Sequence, residues 1–174
     1  MLSSVGKLME RIITKRLMWW LNEDKMLHQS QAGFQSWHNT EELLLRMTET
    51  IYKSFDNNSV TYAVLLGISA YDSVWRNGLR YKMRNEFNLN GRLYWWIDSF
   101  LSERFGRVIL NGTNSEWYAF NTGIPQGSSL SPILFLLYIN DLPTVVHHPI
   151  QCGMFADDVA LWTSIYTKDT NEMQ

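Results

Sequence analysis

The stretch Gln151-Cys152-Gly153-Met154-Phe155-Ala156-Asp157-Asp158-Val159-Ala160-Leu161-Trp162-Thr163 decides how this chain is read. Two apolar runs flank a pair of adjacent carboxylates. The pattern reads as a β-hairpin whose buried body carries Asp157 and Asp158 at its tip. Two like charges about 4 Å apart repel by on the order of 4 kcal/mol at an effective dielectric near 20. Either one carboxylate stays protonated or a divalent cation sits between them. A solvated Asp-Asp turn is the simpler reading of the tetrapeptide taken alone.

Upstream lies Gly123-Ile124-Pro125-Gln126-Gly127-Ser128-Ser129-Leu130-Ser131-Pro132. Proline suits a first helical turn, so a helix is expected from Ser131 through Leu137 to about residue 140. The glycines before it let backbone N–H groups approach a ligand, and would equally serve a helix cap. Arg107 to Leu110, Asn111-Gly112 and Glu116 to Phe120 read as one hairpin around a tight turn. Residues 60–68, with Val64-Leu65-Leu66 unbroken, read as a strand buried on both faces. Helices are expected over residues 73–86 and 92–102, the second burying Leu93, Trp96, Ile97, Phe100 and Leu101.

Nearer the start, Val5, Leu8, Met9, Ile12, Ile13 and Leu17 recur at helical spacing over about residues 4–21. Lys7, Arg11 and Lys15 fall off that stripe and face solvent or a partner. Residues 22–37 read as a loop. Asn39 and Glu42 have capping-box spacing and open a helix with Leu44, Met47, Ile51 and Phe55 on one side. Pro143 and Pro149 bracket another loop.

The 174 residues suit one domain or a piece of a larger one. With 45% hydrophobic and 18% charged residues, the chain is not expected to be disordered. No apolar run approaches the roughly 18 residues that span a bilayer, and residues 1–10 do not read as a signal peptide. Cys152 is the single cysteine, which argues against a disulfide framework and fits a reducing compartment. An intracellular protein of the nucleus or cytoplasm, not a secreted one, is therefore expected. Up to Arg107 there are fourteen Lys and Arg against eleven Asp and Glu; beyond it there is one against six. A basic part facing an acidic centre would suit a polyanion near a metal, and ordinary solvated helix faces would give the same counts. His147-His148 has no ligand-spaced acid beside it, and Ser128, Ser129 and Ser131 have no histidine base nearby.

Together, the 123–132 loop, the helix after it and the Asp157-Asp158 hairpin resemble the reverse transcriptases of non-LTR (LINE-type) retrotransposons, particularly the jockey-like group. Ser4-Val5-Gly6-Lys7-Leu8-Met9-Glu10-Arg11-Ile12-Ile13 is similar to their first fingers helix. Gln31-Ala32-Gly33-Phe34 with Thr40-Glu41 is similar to their next segment. Ala70-Tyr71-Asp72-Ser73-Val74-Trp75 resembles the end of their motif A. Phe100-Leu101-Ser102-Glu103-Arg104 through Val108, with Asn111-Gly112, resembles the stretch before motif B. The resemblance runs in order from Ser4 to about Ser164.

It implies an α+β right-hand polymerase: a palm of antiparallel sheet packed on helices, part of the fingers, and no thumb. About residues 1–59 would be fingers-side helices and about 60–174 palm. The implied activity is RNA-directed DNA polymerisation, with dNTPs added to a primer on an RNA or DNA template. Two Mg²⁺ or Mn²⁺ ions about 3.5–4 Å apart would clamp the reacting oxygens. Asp157 and Asp158 would be two of three metal-binding carboxylates. Tyr71 matches the aromatic gate against the sugar 2′ position. Pro125, Gln126, Gly127 and Ser128 match the motif B turn that meets template and nucleotide. Lys7 and Arg11 match helix positions, as phosphate contacts or as solvated charges.

The family's motif A begins with an Asp five residues before the aromatic gate. That position is Leu66 here, or Gly67 if one residue has been lost. Neither side chain binds metal, and Asp72 follows the gate from a different point. Gln35 stands where Arg is usual, with Trp37 and His38 where small or basic residues are usual. The expectation is therefore a truncated, inactive copy of a mobile-element polymerase with weak ion binding. The alternative is a non-enzymatic nucleic-acid-binding remnant.

Overall fold

The computed structural model describes residues 4–35, 38–68 and 71–166. Trp37 and Ala70, both singled out above, lie outside the described residues. In chain order the elements are α1 (Ser4–Glu23), α2 (Thr40–Asp56), β1 (Ser59–Gly67), α3 (Arg76–Asn85) and α4 (Gly91–Leu101). Four two-residue strands follow: β2 (Phe105–Gly106), β3 (Ile109–Leu110), β4 (Thr113–Asn114) and β5 (Tyr118–Ala119). The chain continues with α5 (Ser131–Ile139), a 3-10 turn (Leu142–Val145), β6 (Gln151–Phe155) and β7 (Asp158–Tyr166). These elements fall into two compact units, one from residues 1–26 and 69–139, the other from residues 27–68 and 140–174.

The second unit is a three-stranded antiparallel sheet in the order β1-β7-β6 with α2 packed on it. Asn39 caps α2 by accepting the Glu42 N–H at 3.0 Å, as the spacing predicts. The Glu42 carboxylate does not turn back to Asn39; it meets His38 Nδ1 at 2.7 Å. The helix meets the sheet through a polar stripe. The Ser54 hydroxyl sits between those of Thr61 and Ser164, the latter at 2.8 Å, and Trp162 Nε1 donates to Thr50 Oγ1 at 3.1 Å. The expected apolar face is wrong at its ends: Leu44 and Phe55 are exposed. Small hydroxyl side chains let the helix approach closely and pair with strand hydroxyls, which an apolar periodicity count does not detect.

The strand at residues 60–68 forms, and its expected burial does not. Among the described residues β1 is hydrogen-bonded to β7 on one side only, and Val60, Tyr62, Val64, Leu65 and Leu66 are all exposed. An unbroken apolar run signals burial on both faces only if layers exist to cover both. Here α2 covers part of one face.

In the first unit, α5 is apolar along almost its whole length and is buried accordingly. α3 starts at Arg76, three residues later than expected, because residues 71–73 form a turn. Arg80 ties it to α4 by donating to Asp98 Oδ1 at 2.5 Å and to Ser102 Oγ at 2.8 Å. Lys82 ties it to α5 through the Tyr138 carbonyl at 2.6 Å. α4 buries Tyr94, Ile97 and Leu101. The single hairpin expected over 107–120 divides into two ladders, β3 with β4 and β2 with β5. Its tight turn is as expected: Asn111 and Gly112 both have positive φ, 50° and 79°. In α1 the first half of the expected stripe is uncovered, with Val5, Leu8, Met9 and Ile12 exposed; Ile13 is half-buried, and Leu17 is buried as expected, together with Leu21 and Glu10. Periodicity identifies residues sharing a face, and it does not say whether anything covers that face.

Candidate catalytic site

Phe155 pairs with Asp158, so Ala156-Asp157 is a two-residue turn and Asp158 opens β7. Both aspartates are exposed, and water relieves much of the repulsion expected for a buried pair. Ala156 is buried with φ +56°, a region costing a residue with a Cβ about 1–2 kcal/mol.

Gln31 holds that turn. Its Oε1 accepts the Ala156 N–H at 3.1 Å, and its Nε2 donates to the Ala156 carbonyl at 3.4 Å. The same Oε1 accepts the Gly33 N–H at 2.7 Å. The segment is laid along β6 by Ala32 N–H to the Met154 carbonyl (2.8 Å) and Met154 N–H to the Ser30 carbonyl (2.7 Å). Gly33 passes so close that a Cβ there would lie 2.2 Å from the Ala156 nitrogen. Nothing local in the run Gln31-Ala32-Gly33-Phe34 marks Gln31 for this role. Only the neighbouring glycine hinted at a close approach.

Across the sheet, Gly67 is the register partner of Asp158, and Leu66 that of Val159. The Ile68 N–H donates to the Asp157 carbonyl at 2.9 Å. Directly opposed residues in an antiparallel pair share a face, and their neighbours point the other way. A side chain at 67 would therefore stand beside that of Asp158, whereas Leu66 lies on the opposite face. A Cβ at Gly67 would meet nothing within 4 Å. Among the described residues no three His, Cys, Asp or Glu side chains are grouped to hold a metal. Asp158 opposite a glycine, with Asp157 next to it in the turn, supplies two carboxylates, and that set does not fit a pair of bridged ions.

The first unit carries the other expected site residues. There the 71–74 turn is fastened to the 123–126 loop. The Ile124 N–H donates to the Tyr71 carbonyl at 2.7 Å, and the Gly123 N–H to the Val74 carbonyl at 2.9 Å. Gln126 Nε2 lies 3.2 Å from each carboxylate oxygen of Asp72. Gly123 has φ +77°, and a Cβ on it would come within 2.8 Å of the Tyr71 oxygen. Arg76 is buried and donates to the carbonyls of Gly123 (2.7 Å) and Thr122 (2.8 Å). The Tyr71 ring packs on Phe135, centroids 5.6 Å apart.

Within the expected nucleotide-contacting turn, Gln126 and Gly127 are exposed, whereas Pro125 and Ser128 are buried. Ser128 Oγ donates to Glu10 Oε2 at 2.8 Å, and the Ser129 N–H donates to the same oxygen at 3.2 Å. Glu10 is thus a buried carboxylate anchoring the loop from α1. Sequence reading missed it because a Glu between apolar helical positions looks like surface. Lys7 and Arg11 lie exposed on the same helix.

A profile described as reverse transcriptase (RNA-dependent DNA polymerase) matches residues 1–173. The chain belongs to that family. It is 34% identical over 170 residues to the RNA-directed DNA polymerase from mobile element jockey of Drosophila melanogaster, covering 94% of this chain and 18% of that protein. Identity is 33% over 168 residues to the probable RNA-directed DNA polymerase from transposon BS of the same fly, covering 92% and 18%. Kinship with the jockey-like elements is as the sequence motifs predict. Among solved structures, the chain is similar to apo telomerase from Candida tropicalis truncated from its C-terminal domain. That match has a TM-score of 0.61 and 16% identity over 88% of this chain and 33% of the other. The likeness shows a shared mixed α/β fold with antiparallel sheet. The chain spans 18% of the length of these curated relatives.

Proposed function

We propose that this chain is the palm and part of the fingers of a mobile-element RNA-directed DNA polymerase, and that this copy binds nucleic acid without extending a primer. Family membership supports the first part. The pairing of Gly67 with Asp158 carries the second. Templated nucleotidyl transfer in the family depends on positioning and on neutralising charge, which metal ions supply when bound. Asp157 and Asp158 would hold one side of such a site. The face they look across offers hydrogen where a third carboxylate would complete it. Gln31 keeps the Asp turn in shape, and Glu10 keeps the 123–129 loop in shape, so the decay is local rather than a loss of fold.

Primer extension on an RNA or DNA template, with Mg²⁺ and separately Mn²⁺, tests this. No incorporation is expected above a no-enzyme control. Extension by the unaltered chain would overturn the inactivity. Gly67→Asp with one residue inserted after Ser69, placed in a full-length relative carrying this segment, is expected to restore extension. Salt-dependent binding of RNA or DNA without incorporation is the result that favours the non-enzymatic reading.

A further inference from the structure

We propose that a trough walled by Arg76, Arg80 and Arg104 and rimmed by Phe105 and Tyr118 binds an unpaired nucleic-acid strand, with a phosphate on Arg104. This rests on the nucleic-acid-binding reading above and adds a location to it. Two cavities of about 580 and 550 Å³ share Arg76, Arg104, Phe120, Asn121 and Thr122 in their walls. Side by side they offer more room than one nucleotide fills, and the second runs on to Gly123 and Gln126.

The three guanidinium groups are differently engaged. Arg80 is answered by Asp98. Arg76 donates only to neutral carbonyls, so its charge has no acid on it. The Arg104 carbonyl accepts the Phe120 N–H at 2.8 Å, but its half-buried guanidinium makes no hydrogen bond or ion pair with any described residue. Glu10 favours its charge from a distance, but the Glu10 carboxylate is occupied by Ser128 and Ser129. Burial holds the Arg76 guanidinium below its ordinary pKa, and the charges of Arg104 and Arg80 add to that. Burial likewise lowers that of Arg104. The acids on the walls are Glu103 and Asp72, and Asp72 is already met by the Gln126 amide.

A planar fork of donors with nothing to bind, beside a second unanswered cation, matches a phosphodiester. The exposed rings of Phe105 and Tyr118, one on each cavity, give flat surfaces on which unpaired bases stack. An acidic peptide would satisfy the arginines and leave those rings unused.

The test is fluorescence anisotropy of the whole chain with a labelled single-stranded oligouridine of about 12 nucleotides, at several salt concentrations. Arg104→Gln should weaken binding roughly tenfold and reduce the salt slope by about 1. Phe105→Ala and Tyr118→Ala should each weaken it severalfold and leave the slope unchanged. Arg104→Lys should recover part of the loss, and Lys53→Gln on α2 should change nothing; thermal melts check that each variant is folded. Binding by the parent chain that Arg104→Gln, Phe105→Ala and Tyr118→Ala all retain overturns the trough and leaves the nucleic-acid reading standing. Absence of binding to any RNA or DNA overturns both. Equal competition by duplex, or by polyglutamate, overturns the assignment to an unpaired strand.

Discussion

Gln31 grips Ala156 by both of its backbone polar groups, from 125 residues away in sequence. The turn that presents Asp157 and Asp158 is strained at Ala156, and a turn of only two residues leaves no slack to relieve it. One amide side chain supplies the donor and the acceptor that the buried turn needs. The strain is thus held by the 30–33 segment rather than by the hairpin itself.

Removing that grip should cost stability. Gln31→Ala takes the side-chain partner from the N–H groups of Gly33 and Ala156 and from the Ala156 carbonyl, an expected loss of at least about 1–3 kcal/mol. Gly33→Ala should cost more, because its Cβ would meet backbone that cannot yield. Ala156→Gly should go the other way, gaining up to about 1 kcal/mol by removing the left-handed strain. Urea midpoints of the three variants provide the comparison. A Gln31→Ala chain as stable as the parent would show that the grip is incidental.

Gly67→Asp needs no repacking, but its carboxylate stands directly opposite Asp158, so without metal the variant should be less stable than the parent by up to about 1 kcal/mol. Adding Mn²⁺ should then raise the melting temperature of the variant more than that of the unaltered chain, since a third carboxylate joins Asp157 and Asp158. Equal shifts for both chains would contradict the placement of residue 67 in the site.

Gly123 and Gly127 have nearly the same φ, +77° and +81°, in very different surroundings. Gly123→Ala should destabilise by more than about 3 kcal/mol, because backbone strain and contact with the Tyr71 carbonyl add together. Gly127→Ala, with open space around its Cβ, should cost only about 1–2 kcal/mol. Similar losses at both would mean that the fastening of the 71–74 turn to the 123–126 loop contributes little.

Burial raises the Cys152 thiol above its ordinary value, with Arg46 opposing weakly. The folded chain therefore keeps a proton that the unfolded chain gives up, and unfolding is favoured as pH rises. The thiol's contribution to stability should be intact at neutral pH and decline above the ordinary thiol value of about 8.5. Cys152→Ser should flatten that decline in melts between neutral and alkaline pH. Native Cys152 should also resist alkylation until the chain is unfolded.

The hairpin at residues 151–163, the Asn39 cap, the Asn111-Gly112 turn and the proline-led helix α5 were legible because each is decided by near neighbours in sequence. What escaped was long-range. Gln31 and Glu10 are polar residues at unremarkable positions, and their roles exist only once distant backbone reaches them. The exposure of β1 and of the α1 stripe was misread for the opposite reason. Apolar pattern records a tendency to be covered, and cover depends on the layers present. The absence of a third carboxylate could be suspected from the sequence, with Leu66 and Gly67 both open. Strand register separates the two, because a shift of one residue reverses the face.

The path of the chain through its two units has a consequence for how the protein is made. Residues 1–26 belong with 69–139, and the 27–68 segment between them belongs with 140–174. A nascent chain that has delivered α1 must wait through the whole of α2 and β1 before the rest of α1's own unit emerges. β1 in turn waits for β7. Each half of the protein is thus left with an unmatched portion during synthesis, with the apolar stripe of α1 in view throughout. Cutting the gene into a front piece and a back piece would strand part of both units, so neither piece should fold by itself.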